Sequence, residues 1–143
     1  MTAGQKLLDR YVELYNAGNL DACMDLYAED AVQTMPDGTF VGRSTIRERL
    51  ARDLEAFPDA TYTVGSFVEQ DNTFADEWTL VGTHSGPLTL PDGAQVPPTG
   101  KRVEIRGMEF VRLRDGKIVT DNLYYDNLAV LVQLDLVPKG AIA

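Results

Sequence analysis

Arg112 to Pro138 read RLRDGKIVTDNLYYDNLAVLVQLDLVP. The stretch scans as strand, tight turn, strand and short apolar helix. Asp115-Gly116, set between two runs of β-formers, is a strong two-residue hairpin signal, because both turn positions need backbone angles that Asp and Gly tolerate. The paired strands are Lys101 to Arg114 and Lys117 to Tyr125, and Leu128 to Leu136 continues at helical spacing. Asp126 stands where strand gives way to helix. A carboxylate so placed either caps the helix or, behind Tyr124 and Tyr125, acts as a base.

Working back toward the start, strands continue to dominate. Phe74 to His84 is a long strand carrying Trp78, Thr61 to Glu69 is rich in β-formers, and Asp71-Asn72 turns the chain between them. The segment Ser85 to Gly100, with Pro87, Pro91, Pro97 and Pro98, is a loop. The first third is helical. Leu7, Leu8, Tyr11, Val12, Leu14 and Tyr15 stripe a helix from Ala3 to Ala17 that stops at Gly18. Asn19 caps a second helix with Leu20, Cys23, Met24 and Tyr27 on its apolar face, and Ala31 to Thr34 forms a short strand. Pro36-Asp37-Gly38 turns into a third helix. Thr45 and Glu48 have capping-box spacing there, and Ile46, Leu50 and Leu54 lie along one face. The order α-α-β-α-β-β-β-β-α, with helices segregated and strands joined by hairpins, predicts an α+β fold: a curved antiparallel sheet wrapped as a cone around three N-terminal helices. The open end of such a cone is a natural ligand cavity.

The 143 residues fit one domain, 1–143, without repeats or a linker. With 22 acidic against 13 basic residues the net charge is −9, which argues against nucleic acid and anionic membrane as partners. No run approaches the roughly 20 apolar residues of a membrane span, and the N-terminus lacks a leader pattern, so a cytoplasmic location is expected. The single cysteine, Cys23, falls in an apolar helical pattern and reads as a buried thiol. One histidine and one cysteine cannot make a zinc site, and neither a phosphate-binding glycine loop nor a nucleophile elbow is present.

Several segments together resemble the SnoaL-like polyketide cyclases of the NTF2-like superfamily. They are LYAEDAV from Leu26 to Val32, GRSTIRERL from Gly42 to Leu50, GTHSG from Gly82 to Gly86, PPTGKRVE from Pro97 to Glu104, and the closing GKI with Asp126 and LVQLDLVP. The likeness covers almost the whole chain. It implies a cofactor-free acid/base enzyme, of lyase or isomerase type, that performs an intramolecular aldol cyclisation or a related proton abstraction beside a carbonyl. The substrate would be a small apolar, polyketide-like molecule. No metal or cofactor is expected, and family members often pair as homodimers through the outer face of the sheet. The resemblance assigns the acid/base role to Asp126, with His84 near the pocket.

Strand parity then groups Asn122, Tyr124 and Asp126 on one face and Asp121, Leu123 and Tyr125 on the other. If Asp126 faces the cavity, Asn122 can donate to an enolate oxygen and Tyr124 lines the wall, unless a bulge intervenes. Trp78 shares a parity with His84 and suits a flat substrate, though a core role is the more usual one for such a Trp. Tyr15 on the first helix, and Met108 and Phe110 on the preceding strand, are further substrate-contact candidates, the latter two being equally suited to a dimer interface. His84 has a structural alternative as the anchor of the proline-rich loop.

Three other activities stay in view. A non-catalytic small-molecule-binding or dimerisation module would need no base. A ketosteroid-isomerase-like enzyme would use similar residue types without a motif match. Limonene-type epoxide hydrolases share the fold and use an Asp-Arg-Asp set, for which Arg106 with Asp126, Glu104 or Asp76 would be needed. Their closing-strand pattern places Leu123 where the first aspartate belongs, which removes a required carboxylate.

Overall fold

In a computed structural model, residues 1–138 and Gly140 are described. Helices α1 (Ala3–Asn16), α2 (Leu20–Met24) and α3 (Arg43–Ala56) are interrupted by strands β1 (Tyr27–Met35) and β2 (Gly38–Val41). Strands β3 (Thr61–Gln70) and β4 (Thr73–Thr83) follow. A small hairpin, β5 (Leu88–Thr89) and β6 (Gln95–Val96), leads to β7 (Arg102–Arg114), β8 (Lys117–Tyr125) and helix α4 (Asn127–Gln133). The main sheet has six strands in the order β2-β1-β8-β7-β4-β3, and β5-β6 stands apart. All pairings in it are antiparallel except β1 with β8. The fold is α+β: α1 lies against β3, α3 lies against β1, and the sheet curves around them without closing. Among the described residues no helix is long and apolar enough to cross a membrane.

Local chemistry accounts for the elements. Thr2 caps α1 through its hydroxyl, which accepts from Gln5 N–H. Gly18, at φ +73°, lets the chain leave α1 while Gly18 N–H bonds Tyr15 O and Asn19 N–H bonds Leu14 O. Asn19 caps α2 by accepting from Ala22 N–H, as its position implies. Asp115 and Gly116 both adopt positive φ, 53° and 74°, the conformation of the tight hairpin turn.

The structure differs from the sequence expectation in several places: β2 separates the Pro36-Asp37-Gly38 turn from α3, the β5-β6 hairpin lies within the 85–100 loop, α4 ends at Gln133, and the boundaries of α2 and α3 shift. Helix α2 has five residues, and Tyr27 is not on its apolar face but opens β1, which begins four residues before Ala31. Pairing with Ile118 on β8 draws Tyr27 into the sheet, where it is buried. Helix α3 starts at Arg43, so Thr45 lies inside it and no capping box forms. Gly42 takes the cap position instead: its N–H bonds Ala31 O on β1, and its φ of 91° redirects the chain at once into the helix.

The GTHSG segment has a packing explanation. A Cβ at Gly86 would sit 1.9 Å from Glu55 O, because Ser85 and Gly86 N–H both bond Ala56 O at the end of α3. His84 is fully buried, and its Nδ1 accepts from Thr99 N–H at 3.2 Å and lies 3.0 Å from the Thr99 hydroxyl. His84 N–H bonds Lys101 O, and Gly100 N–H bonds His84 O. The segment therefore ties both stems of the 85–100 loop to α3 and β7.

Gly86→Ala should cost about 3 kcal/mol of folding stability, since the loop must move off α3. Gly65→Ala, whose Cβ would meet nothing closer than 3.7 Å, should change it by less than about 1 kcal/mol. Urea unfolding of both variants compares them directly.

Candidate active site

A cavity of about 140 Å³ lies between the helices and the inner face of the sheet. An engineered apolar cavity of about 150 Å³ holds benzene, so this space takes one aromatic ring, with anything larger extending toward the mouth. Tyr11 and Tyr15 of α1, Tyr62 of β3, Trp78 of β4 and Tyr125 of β8 line its walls. These rings contact one another: Tyr15–Tyr62 at 5.4 Å, Tyr62–Trp78 at 5.2 Å and Trp78–Tyr125 at 5.9 Å between centroids. Leu88, Leu90 and Pro91 of the 85–100 loop, with Val130 and Leu131 of α4, complete the lining. Gly107 makes room for Trp78, because a Cβ there would stand 2.5 Å from the indole Cζ2.

One end of the cavity is acidic. Along β4, the inward residues Phe74, Asp76 and Trp78 are all buried, and so are Glu109 and Val111 on β7. Each carboxyl interrupts an apolar stripe. Asp76 and Glu109 are direct partners across β4 and β7, while Asp121 on β8 pairs with Val111, one inward step from Glu109. The three buried groups thus form one layer across three neighbouring strands. Glu109 and Asp121 line the cavity. Behind them, Leu7, Leu8, Phe74, Val111 and Ile118 leave a recess of only about 10 Å³.

Burial and mutual repulsion prevent all three from ionising. Burial first, then the charges of Asp121 and Asp76, push Glu109 well above the usual carboxylate range. Burial lifts Asp76 to about 6, opposed by its hydrogen bond with Glu109. Burial also raises Asp121, offset by hydrogen bonds from Glu109 and Gln33 and by the charge of Arg49. Asp121 Oδ1 and both Asp76 oxygens have no hydrogen-bond donor among the described residues unless Glu109 carries a proton. A neutral Glu109 removes one charge from the layer and donates its single proton to one of these oxygens at a time.

A second chain of contacts reaches Asp121 from the helices. Gln33 of β1, the strand partner of Asp121, donates from Nε2 to Asp121 Oδ2 at 3.2 Å. Arg49 Nε donates to Gln33 Oε1 at 2.8 Å, and Arg49 Nη1 donates to Asp53 Oδ2 at 2.5 Å. An arginine can only donate, so it fixes the Gln33 amide with oxygen toward Arg49 and NH₂ toward Asp121. Tyr11 and Tyr62 stay protonated, their hydroxyls pushed up chiefly by burial. Among the described residues no group of three or more His, Cys, Asp or Glu side chains has the geometry of a metal site.

The expected site residues are dispersed. Asp126 is exposed, lies outside the cavity, and accepts from Ala129 N–H at 3.0 Å as the N-cap of α4. The capping alternative describes it. Asn122 and Tyr124 lie on the opposite face of β8 from Asp121, with Tyr124 exposed. Met108 and Phe110 are likewise exposed on the outer face of β7. His84 anchors the loop outside the lining, and burial lowers its pKa. Trp78 and Tyr15 do line the cavity. Arg106 and Glu104 are exposed, on the face of β7 opposite Glu109, so they form no set with buried Asp76. Cys23 is buried and its thiol is pushed up to about 11 by burial, as its position implied.

The grouping of alternate residues on β8 holds, but the set without Asp126 is the one that faces the cavity, and one extra residue earlier in the strand brings that set inward. Pairing between β7 and β8 steps from Leu113↔Ile118 to Arg112↔Thr120, leaving Val119 over. Ile118 points inward, and beyond the bulge the inward residues are Asp121, Leu123 and Tyr125. The signal was present in the alternation itself: Leu123 and Tyr125 are apolar, and an acid two residues before them on the same face is a buried-polar anomaly.

A profile of SnoaL-like polyketide cyclases matches residues 5–134. Three solved structures are similar over nearly their full length. IdmH of Streptomyces antibioticus, assigned as a polyketide cyclase, is 31% identical, with 92% of this chain and 97% of that chain covered at a TM-score of 0.77. AclR of Streptomyces galilaeus, assigned as a hydroxylase, is 28% identical, with coverage of 94% and 96% and a TM-score of 0.80. A protein of Jannaschia sp. CCS1 assigned as a SnoaL-like polyketide cyclase shares the fold at 20% identity, with coverage of 95% and 94% and a TM-score of 0.82. The comparison with curated proteins returned no match.

Unfolded carboxylates lose their protons near pH 4, whereas burial lets folded Asp76 hold its proton to about pH 6 and, with the charges of Asp121 and Asp76, pushes Glu109 well above the usual carboxylate range. Between these limits the folded state binds more protons, so stability falls as pH rises. Glu109→Gln mimics the protonated acid at every pH. It should raise the melting temperature at pH 7.5 and leave it nearly unchanged at pH 4.5, as read by scanning calorimetry. An equal effect at both pH values would contradict a proton on Glu109.

Proposed function

The chain belongs to the SnoaL-like polyketide cyclase family, and on that premise we propose that it is an acid/base enzyme working on a small, flat, enolisable ketone of polyketide type. Asp121 is its general base and acid. The observation that carries this reading is Asp121 itself, a buried carboxylate in the cavity lining with Oδ2 held by Gln33 and Oδ1 lacking a permanent donor.

The chemistry asks little beyond that. A C–H between two carbonyls is already acidic, and a carboxylate raised by burial is a stronger base than one in water. Asp121 takes the α-proton, and the C–H electron pair becomes the enolate. The enolate carbon then attacks a second carbonyl of the same molecule, forming the ring C–C bond. The resulting alkoxide takes the proton back from Asp121, which regenerates the base. No oxidant or external nucleophile enters the balance. The aromatic walls exclude water and hold the reacting carbons together. Neutral Glu109 keeps a second negative charge away from Asp121, so that Asp121 can ionise near neutral pH.

Deprotonation can be read without the native substrate. 2-Tetralone in D₂O should exchange its α-protons faster with the protein than without it, as followed by proton NMR. Asp121→Asn should slow that exchange about a hundredfold or more. Asp126→Ala should keep the rate within about twofold while costing about 1 kcal/mol of stability through the lost cap. Full exchange by Asp121→Asn would sink the assignment. Saturable ketone binding by the wild-type protein with no exchange would favour a binding module instead.

A further inference from the structure

Asp121 as the base leaves Arg49 without an explanation. Its side chain is buried in the wall of an otherwise aromatic and acidic cavity, and it is the one basic residue of that lining among the described residues. Pairing with Asp53 does not require this burial, since the Asp53 side chain is 43% exposed and a surface pair would serve without desolvating a guanidinium. Of the five N–H donors on the group, one goes from Nε to Gln33 and one from Nη1 to Asp53. Nη2 has no hydrogen-bond partner among the described residues, and it is not sealed off from open space as the buried orphan atoms are. The guanidinium carbon lies 5.9 Å from the centre of the Phe40 ring, which holds it on a further side.

We propose that Arg49 binds the oxygen on which the substrate's negative charge develops, so that the cavity takes a neutral aryl ketone or 1,3-dicarbonyl, carbon toward Asp121 and oxygen toward Arg49. The assignment rests on Asp121 being the base. Both groups hydrogen-bond the same Gln33 amide from its two ends, which keeps Asp121 Oδ2 and Arg49 Nε within about 8 Å of each other. An enolisable carbonyl spans such a gap, because its oxygen is two bonds from the carbon that loses the proton. As the proton moves to Asp121, one negative charge leaves that carboxylate and appears on the oxygen beside Arg49. The cavity's total charge is unchanged, and the charge is displaced toward a donor already held in place, where water is excluded. A neutral ligand fits the approach as well. Asp37 and Asp53 stand among the lining residues, and the chain carries −9, so a free carboxylate is disfavoured on entry.

4-Nitrophenol tests this directly. It is one flat ring with an ionisable oxygen, its absorbance reports ionisation, and it has no α-proton, so the outcome is independent of turnover. Bound to the wild-type protein it should ionise at least one pH unit below the free compound, a tenfold preference for the anion. Arg49→Gln, whose amide can still meet Gln33 and Asp53, should abolish the shift. Absence of saturable binding to the wild type, a bound phenol that ionises at or above its free value, or a shift that persists in Arg49→Gln each overturns the proposal. If Arg49→Gln does not fold, the wild-type titration decides, since no other cation lines the cavity among the described residues. Failure of Asp121 as base shows only in the deuterium exchange, and failure of Arg49 only in the phenol spectrum.

Discussion

Three carboxyl groups packed into one layer of an apolar interior cannot all be charged, and the arrangement around them follows from that constraint. Asp76, Glu109 and Asp121 are all buried. The cost of ionising them falls unequally, because each has different neighbours. Glu109 stands between the other two and takes the proton. Asp121 alone is reached by Gln33 and, through it, by a buried arginine. It is therefore the member whose ionised form the fold supports. Helix α3 is held to the sheet by the same contacts, since Arg49 is the link between Gln33 on β1 and Asp53 on its own next turn.

Such a layer reduces stability at neutral pH, and apolar replacements of the same volume would pack without that cost. Sites that place charge where water is excluded commonly carry this conflict between stability and activity. The surrounding geometry concentrates the effect. Tyr62, Trp78 and Tyr125 form a continuous aromatic wall beside the acids. Gly107 lets the indole lie close against β7, and His84 secures the loop whose tip supplies Leu88, Leu90 and Pro91 to the lining. The result is a mostly apolar space with one acidic end.

Much of this was legible in the chain. The Asp115-Gly116 turn, the Gly18 stop, the Asn19 cap and the long strand through Trp78 are local signals, and all stand where the residues put them. The resemblance identified the family and the fold. The base proposed here is not the residue that the resemblance named. Asp126 sits at the strand end, and its own backbone neighbours offer it a cap, so the local reading was complete without a cavity. Strict alternation put Asp121 on the face opposite Asp126, and that face, not the one carrying Asp126, lines the cavity. Gln33 lies outside every segment of the resemblance, and Arg49 lies within GRSTIRERL without being marked there as a site residue: they come from a strand and a helix far from Asp121 in the chain, and the parallel pairing of β1 with β8 brings them to it.

By itself, then, the sequence determined the class of fold and most of its elements in order, because turns, caps and apolar periodicity act over a few residues, while the short strands β2, β5 and β6 escaped it. It also contained the anomaly of acids within apolar stripes. Which acid meets the cavity was decided by tertiary structure alone. A single bulge at Val119 exchanges the two faces of β8, and a side chain's face relative to a curved sheet is set by pairing with partners distant in the chain. The protonation of Glu109 and the burial of Arg49 are decided there too, since both depend on charges that approach one another only when the sheet has formed.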